Sequence, residues 1–233
     1  MSLHPRAIRT LVMSPSYLQA ETAADRTRRS TLGAPQFLCA DHVFEQLTDV
    51  ETPQGILAVV QQPRWNETQV FGRSGVLGIY GDRLQDPANV GVIIRTAAAL
   101  NLSGVWLSTD SADHFSPKVV RATAGTLLNL PIFRTPDVRT FASYGCGMYS
   151  AVPSAADRVP IRSLRQRPPR LVVAVGNEGA GLSPEVLQMS DVRFSIPLAQ
   201  GVESLNVAAT MAISVFYFSG LPIKSGGKTG QLS

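Results

Sequence analysis

The chain has 233 residues, 44% hydrophobic and 16% charged, enough for one sizeable core or for a main domain beside a small one. Its formal charge is +4 with a pI near 9.4, carried by arginine; Lys118, Lys224 and Lys228 are its only lysines. An arginine excess suits an anionic partner such as RNA, because guanidinium pairs with phosphate and stacks on bases, although an arginine-rich proteome gives the same balance. No apolar run approaches eighteen residues and no secretory signal opens the chain, which argues against a membrane partner. Cys39 and Cys146 lie far apart without CxxC spacing, so two free thiols in a cytoplasmic protein are expected and a zinc site is not.

Residues 7–60 read as a small α/β unit. Strands are expected at 8–13, 36–40 and 55–60, a polar helix at 17–29 and a short helix at 42–47 capped by Asp41. Three strands and two helices make a marginal domain alone. Residues 61–75, QQPRWNETQVFGRSG, hold turn formers and no period, and read as a linker. From 76 the pattern becomes strand–helix. Strands are expected at 76–80, 104–107, 131–133, 147–152, 171–175 and 192–197. Helices are expected at 90–100, from Ser116-Pro117 to about 128, briefly after Pro136-Asp137, after Ser183-Pro184-Glu185, and at 205–218. Alternating strands and helices predict an α/β fold with a mostly parallel sheet and helices on both faces. Residues 221–233 read as a flexible tail.

Two polar loops follow two apolar strands, where open α/β sheets bind ligands. The first, GNEGAG at 176–181, has glycines that can admit a phosphate or a flat ligand. Their order is not the dinucleotide fingerprint, and no acid ends a following strand to hold a ribose, which disfavours a nicotinamide oxidoreductase. The second, AQGVESLN at 199–206, offers Glu203, Ser204 and Asn206; Ser204 also reads as a plain helix N-cap. No GxSxG surrounds the serine and no histidine has a triad setting, so hydrolase chemistry is poorly supported. A third stretch, DPANVGVIIRTAAAL at 86–100, places Arg95 in an otherwise apolar helix. Arg95 also reads as a surface residue paired with an acid, and Asn89 as a capping residue.

Taken together and in order, DPANVGVIIRTAAAL, VVAVGNEGAGLSPEV and SIPLAQGVESLNVAATMAI resemble the three motifs of the SpoU (TrmH) family of RNA ribose 2′-O-methyltransferases, in the SPOUT superfamily. The resemblance covers about residues 75–219. DVETPQGILAVV, 49–60, is similar to the junction that ends the family's N-terminal RNA-binding domain, and SPKVVRATAGTLLNLPIF, 116–133, to another family stretch.

The resemblance implies a C-terminal deep trefoil knot over roughly 171–215. It also implies a methyltransferase domain at 76–220 and a small RNA substrate-binding domain at 1–60, shorter than the family's usual one. S-adenosylmethionine is the implied cofactor, without a metal. Gly176, Asn177, Ile196, Leu198, Gly201 and Leu205 match the cofactor-binding positions. Arg95 matches the catalytic arginine, a general base in one family proposal or a phosphate and alkoxide stabiliser. Asn89, Glu178, Ser204 and Asn206 match the other polar positions. Arg26, Arg28, Arg29, Lys118 and Arg121 are candidate RNA contacts. The implied assembly is a cytoplasmic homodimer that completes its active site across the interface. Ribosomal RNA is the expected substrate; transfer RNA, or a non-catalytic RNA-binding role on the same fold, are the alternatives.

Overall fold

The structure is a computed structural model that describes residues 7–135, 137–153 and 158–224. The predictions for Pro136 and for most of the 221–233 tail lie outside the described residues. The chain divides into two compact units, Met1–Arg64 and Trp65–Ser233.

In the first unit β1 (Ile8–Met13) is the central strand, parallel to β2 (Gln36–Leu38) and antiparallel to β3 (Ile56–Val60). The helix expected over 17–29 is two helices, α1 (Pro15–Ala20) and α2 (Ala23–Ser30). Glu21 is extended, and Thr22 restarts the helix by accepting from the Asp25 N–H at 3.1 Å. A cap that takes an orphan N–H competes with continuing the helix, and a polar stretch with no buried face offers little opposition. α3 (Asp41–Gln46) has Ala40 at its N-cap position. Asp41 does not cap it; its carboxylate accepts instead from the Ser16 hydroxyl at 2.5 Å.

The second unit begins inside the stretch expected to be a linker. There Glu67–Phe71 form α4, capped by the Asn66 side chain, with Val70 and Phe71 buried. Phe71 stacks on Tyr144 at 4.4 Å between ring centroids and lies 5.0 Å from Trp106. Five residues are too few to show a helical period, so only the tertiary contacts reveal the helix.

A seven-stranded sheet follows: β4 (Val76–Gly81), β5 (Gly104–Ser108), β6 (Ile132–Thr135), β7 (Gly147–Ala151), β8 (Val159–Pro160), β9 (Arg170–Val175) and β10 (Val192–Ser195). The order is β6-β5-β4-β9-β7-β10-β8, and every pairing is parallel. The strands read as unbroken apolar runs because both faces are covered. Leu77, Ile79, Val105, Leu107, Leu171, Val173 and Val175 enter one core; Val76, Tyr80, Trp106, Val172 and Ala174 enter the other. The first core is closed by α5 (Pro87–Ala99), α6 (Pro117–Ala122) and α9 (Val207–Ser219), the second by α4, α7 (Thr140–Ser143) and α8 (Pro184–Met189). This is the expected α/β sheet with helices on both faces.

The helix expected to reach 128 stops at 122. Ala124 and Gly125 turn through positive φ (49° and 83°) before a short 3₁₀ turn, Thr126–Leu128. Gly91 sits mid-helix in α5 because any Cβ there would collide with Ala122 of α6. β9 lies between β4 and β7, and α9 packs on all three strands and on α5. The loops after β4, β7, β9 and β10 therefore emerge at one edge of the sheet.

Candidate functional site

α5 begins at Pro87, three residues before the expected start at 90, and Asn89 lies inside it rather than capping it. Asp86 is the N-cap, its carboxylate accepting from the Ala88 N–H at 2.9 Å, and Pro87 takes the first helical position. One turn in, Asn89 is 8% exposed and faces the loops. Its Nδ2 donates to Glu178 Oε1 at 3.0 Å, and its Oδ1 accepts from Asn206 Nδ2 at 2.9 Å. Asn206, not Ser204, is the N-cap of α9: its Oδ1 accepts from the Ala208 and Ala209 N–H groups at 2.8 and 3.3 Å. One amide thus joins the three motif loops. The Glu178 carboxylate also accepts from the Gln85 and Asp86 N–H groups, each at 3.4 Å. Burial pushes that carboxyl up, but the Asn89 and backbone hydrogen bonds outweigh it and hold the group below its ordinary value.

A second set of bonds stitches the loop after β4 to the glycine loop after β9. Asp82, 3% exposed, accepts from the Ser183 N–H at 2.6 Å. Arg83 sits at φ +56° and presents its carbonyl to Asn177 Nδ2 at 2.9 Å, while its Nη2 donates to the Gly181 carbonyl at 3.1 Å. Asn177 Oδ1 accepts from the Gly179 and Ala180 N–H groups. Ser183 caps α8 with Pro184 at its first position, as its sequence predicts. These bonds depend on Asp82 and Arg83, which lie in none of the three motifs. Their only signal was membership of the polar loop GDRLQDPAN.

Among the loops after β7, β9 and β10 lies a cavity of about 690 Å³, within the roughly 300–1,000 Å³ of small-molecule sites. Gly176, Asn177, Glu178, Ile196, Leu198, Ser204, Leu205 and Asn206 line it. The wall is chiefly main chain from 176–181 with the aliphatic groups of Leu182, Leu187, Ile196, Leu198 and Leu205, which suits a flat heteroaromatic ring bound by backbone groups. Ser204 lines the cavity and is exposed. Gly201 is a turn residue at φ +84° outside the lining, so it is not placed as a direct contact. Gly176 is needed for the loop to close on itself: a Cβ there would collide with the backbone of Gly181 and Leu182. Arg158, which no motif marks, and Glu203, which the AQGVESLN loop offers without an assigned role, also line the cavity.

Arg95 is exposed on α5, outside the cavity lining, and makes no ion pair or hydrogen bond among the described residues. The paired-acid reading of Arg95 therefore does not hold among them. Lys118 and Arg121 are exposed one turn apart on α6, which packs against α5. In the first unit Arg28 and Arg26 are 81% and 68% exposed at the side chain. Arg29 is otherwise committed. Its Nε and Nη2 bind both oxygens of Glu21, itself 1% exposed, at 2.7 and 2.9 Å, and Nη1 binds Gln36. Among the described residues no group of three or more His, Cys, Asp or Glu is placed to hold a metal, and no helix is long and apolar enough to cross a membrane.

A parallel α/β sheet with a ligand cavity built from three stitched loops at its carboxyl edge defines a class of small-molecule-binding enzyme folds. The model of the SpoU rRNA Methylase family matches residues 77–216, and the chain belongs to that family. It is 35% identical to an uncharacterized tRNA/rRNA methyltransferase of Synechocystis over 77% of this chain; it spans 65% of that relative's length. It is 32% identical to the 23S rRNA (guanosine(2553)-2′-O)-methyltransferase of Bacillus subtilis over 89% of this chain and 83% of the relative. Among solved structures, the AdoMet-bound rRNA methyltransferase of Sinorhizobium meliloti superposes with a TM-score of 0.74 at 29% identity, covering 91% of this chain and 79% of that one.

Proposed function

We propose that the chain is an S-adenosylmethionine-dependent methyltransferase acting on a ribose 2′-hydroxyl of ribosomal RNA. The observation that carries this reading is the Asn89 amide bridging Glu178 and Asn206 beside a cavity of backbone and aliphatic walls. The 23S rRNA substrate of the Bacillus relative supports ribosomal over transfer RNA. Bound S-adenosylmethionine supplies an electrophilic methyl on a sulfonium. Gly176, Asn177, Ile196, Leu198 and Leu205 would hold it, and Asn89, Glu178, Ser204 and Asn206 would fix the loops and orient the ribose. Arg95 grips the neighbouring phosphate and stabilises charge developing on the 2′-oxygen; guanidinium groups hold their protons too firmly to serve as the base. The β9 position between β4 and β7, with α9 returning over them, supports a knot at about 171–215.

The working form is a cytoplasmic homodimer. α5 and α9 pack together and leave Val92, Ile213 and Phe216 exposed at 46%, 43% and 70%. Apolar groups that large are covered by a second copy, which sets Arg95 beside the partner's cavity. Phe216→Asp should convert the dimer to monomer in light scattering and abolish activity; an unchanged dimer would move the interface elsewhere. The N-terminal unit serves as the RNA-binding module, with Arg26 and Arg28 of α2 reaching RNA and Lys118 and Arg121 doing so beside α5.

The test is transfer of labelled methyl to ribosomal RNA from cells lacking the activity, followed by mapping of the 2′-O-methyl. Arg95→Ala should lower transfer by at least about a hundredfold while cofactor affinity stays as in the parent. Retained activity would remove Arg95 from the mechanism.

A further inference from the structure

Among the described residues, only three charged side chains line the cavity: Arg158, Glu178 and Glu203. Glu178 is engaged in the Asn89 bridge and the backbone of the loop after β4. Arg158 is the one cation and Glu203 the second anion among the described residues that line the cavity. Arg158 comes from the segment between β7 and β8, immediately before Val159, which pairs with Phe194 of β10. Glu203 comes from the loop that leads from β10 to α9. The pair is thus delivered from beside two neighbouring strands, β8 and β10.

From this placement we infer that Arg158 reads the carboxylate, and Glu203 the ammonium, of the amino-acid end of S-adenosylmethionine, an inference that rests on the cofactor reading above. A guanidinium takes a carboxylate through two parallel N–H···O bonds, and a carboxylate accepts from an ammonium. The adenosine carries neither charge. The sulfonium is cationic, so a lining arginine is repelled from the sulfur and drawn to the far end, where the ligand's only negative charge lies. Among the described residues nothing else lining the cavity offers a cation to that group, whereas hydroxyl and amide donors for the ribose are present in Ser204, Thr210 and Asn206. Arg158 and Glu203 are therefore specificity residues. They separate S-adenosylmethionine and its product from nucleosides that share the adenine and ribose.

Calorimetry on the full chain tests this with three probes: S-adenosylhomocysteine, decarboxylated S-adenosylmethionine and 5′-methylthioadenosine. Arg158→Gln should weaken S-adenosylhomocysteine by about tenfold or more, from the loss of charge-assisted bonds. It should leave the other two probes as they are in the parent. Glu203→Gln should weaken the first two and spare 5′-methylthioadenosine. Arg158→Lys should recover part of the loss. Equal weakening of all three probes by Arg158→Gln, or none, would overturn the assignment; so would lost RNA affinity with unchanged S-adenosylhomocysteine binding, which would make Arg158 an RNA contact. If the parent bound none of the probes, the cofactor reading would fall and this inference with it.

Discussion

Asn89 makes the tightest argument at the level of single residues. The nitrogen and oxygen of its amide have one partner each, a carboxylate on one side and a capping asparagine on the other, so the amide cannot be flipped without loss. Asn89→Ala leaves the Asn206 amide and the Glu178 carboxylate short of a partner, at a cost of about 1–3 kcal/mol. A lowered melting temperature together with weaker cofactor binding is expected; a variant as stable as the parent would show the bridge to be incidental. The pH dependence follows from Glu178. Its folded carboxyl sits below the ordinary 4.5, so its contribution is fully present above that value and is lost as the pH falls through the lower folded one. Glu178→Gln should flatten that acid limb in a series of melts between about pH 3 and 6. The polar residues of this bridge were visible as a list in the sequence. Their connectivity was not, because Asn89, Glu178 and Asn206 are far apart along the chain, and Asn206 reads as an ordinary early helical residue until its cap is seen.

Elements were legible in proportion to their length and burial. Strands β4, β5, β7 and β9 stand out because each feeds two cores, and α5 and α9 because each spans three or more turns; β8, two exposed residues, has no such signal. What failed was short or punctuated. α4 is five residues long, and the break between α1 and α2 is a capping event in a polar run with no buried face to hold the helix straight. Arg29 shows the same limit for charge: its residue type marks it as a candidate RNA contact, but its fork onto Glu21 and its bond to Gln36 of β2 show only in the fold. Glycine in the loop after β9 is likewise a closing device. Gly176→Ala forces its new methyl into Gly181 and Leu182, so the loop must open, and cofactor affinity should fall far more than melting temperature. Full affinity in that variant would mean that the loop rearranges freely.

The second unit brings the loops after β7, β9 and β10 of one parallel sheet around a cavity, yet leaves Arg95 outside it on an exposed helix. Mixing Arg95→Ala with Gly176→Ala protein resolves this at the scale of the assembly. If the arginine serves the partner's cavity, a mixed dimer carries both lesions in one site and none in the other, and activity reappears. Absence of any recovery would place Arg95 in its own chain's site.

The bonds from Asp82 and Arg83 to Asn177, Gly181 and Ser183 also bear on how such enzymes can be rebuilt. Two segments almost a hundred positions apart behave as a single graft. A transplant of the glycine loop alone from a relative would arrive with mismatched anchors, whereas a transplant carrying 82–86 and 176–183 together brings its own. Chimeras should therefore divide into viable and dead along that pairing rather than along the order of the polypeptide.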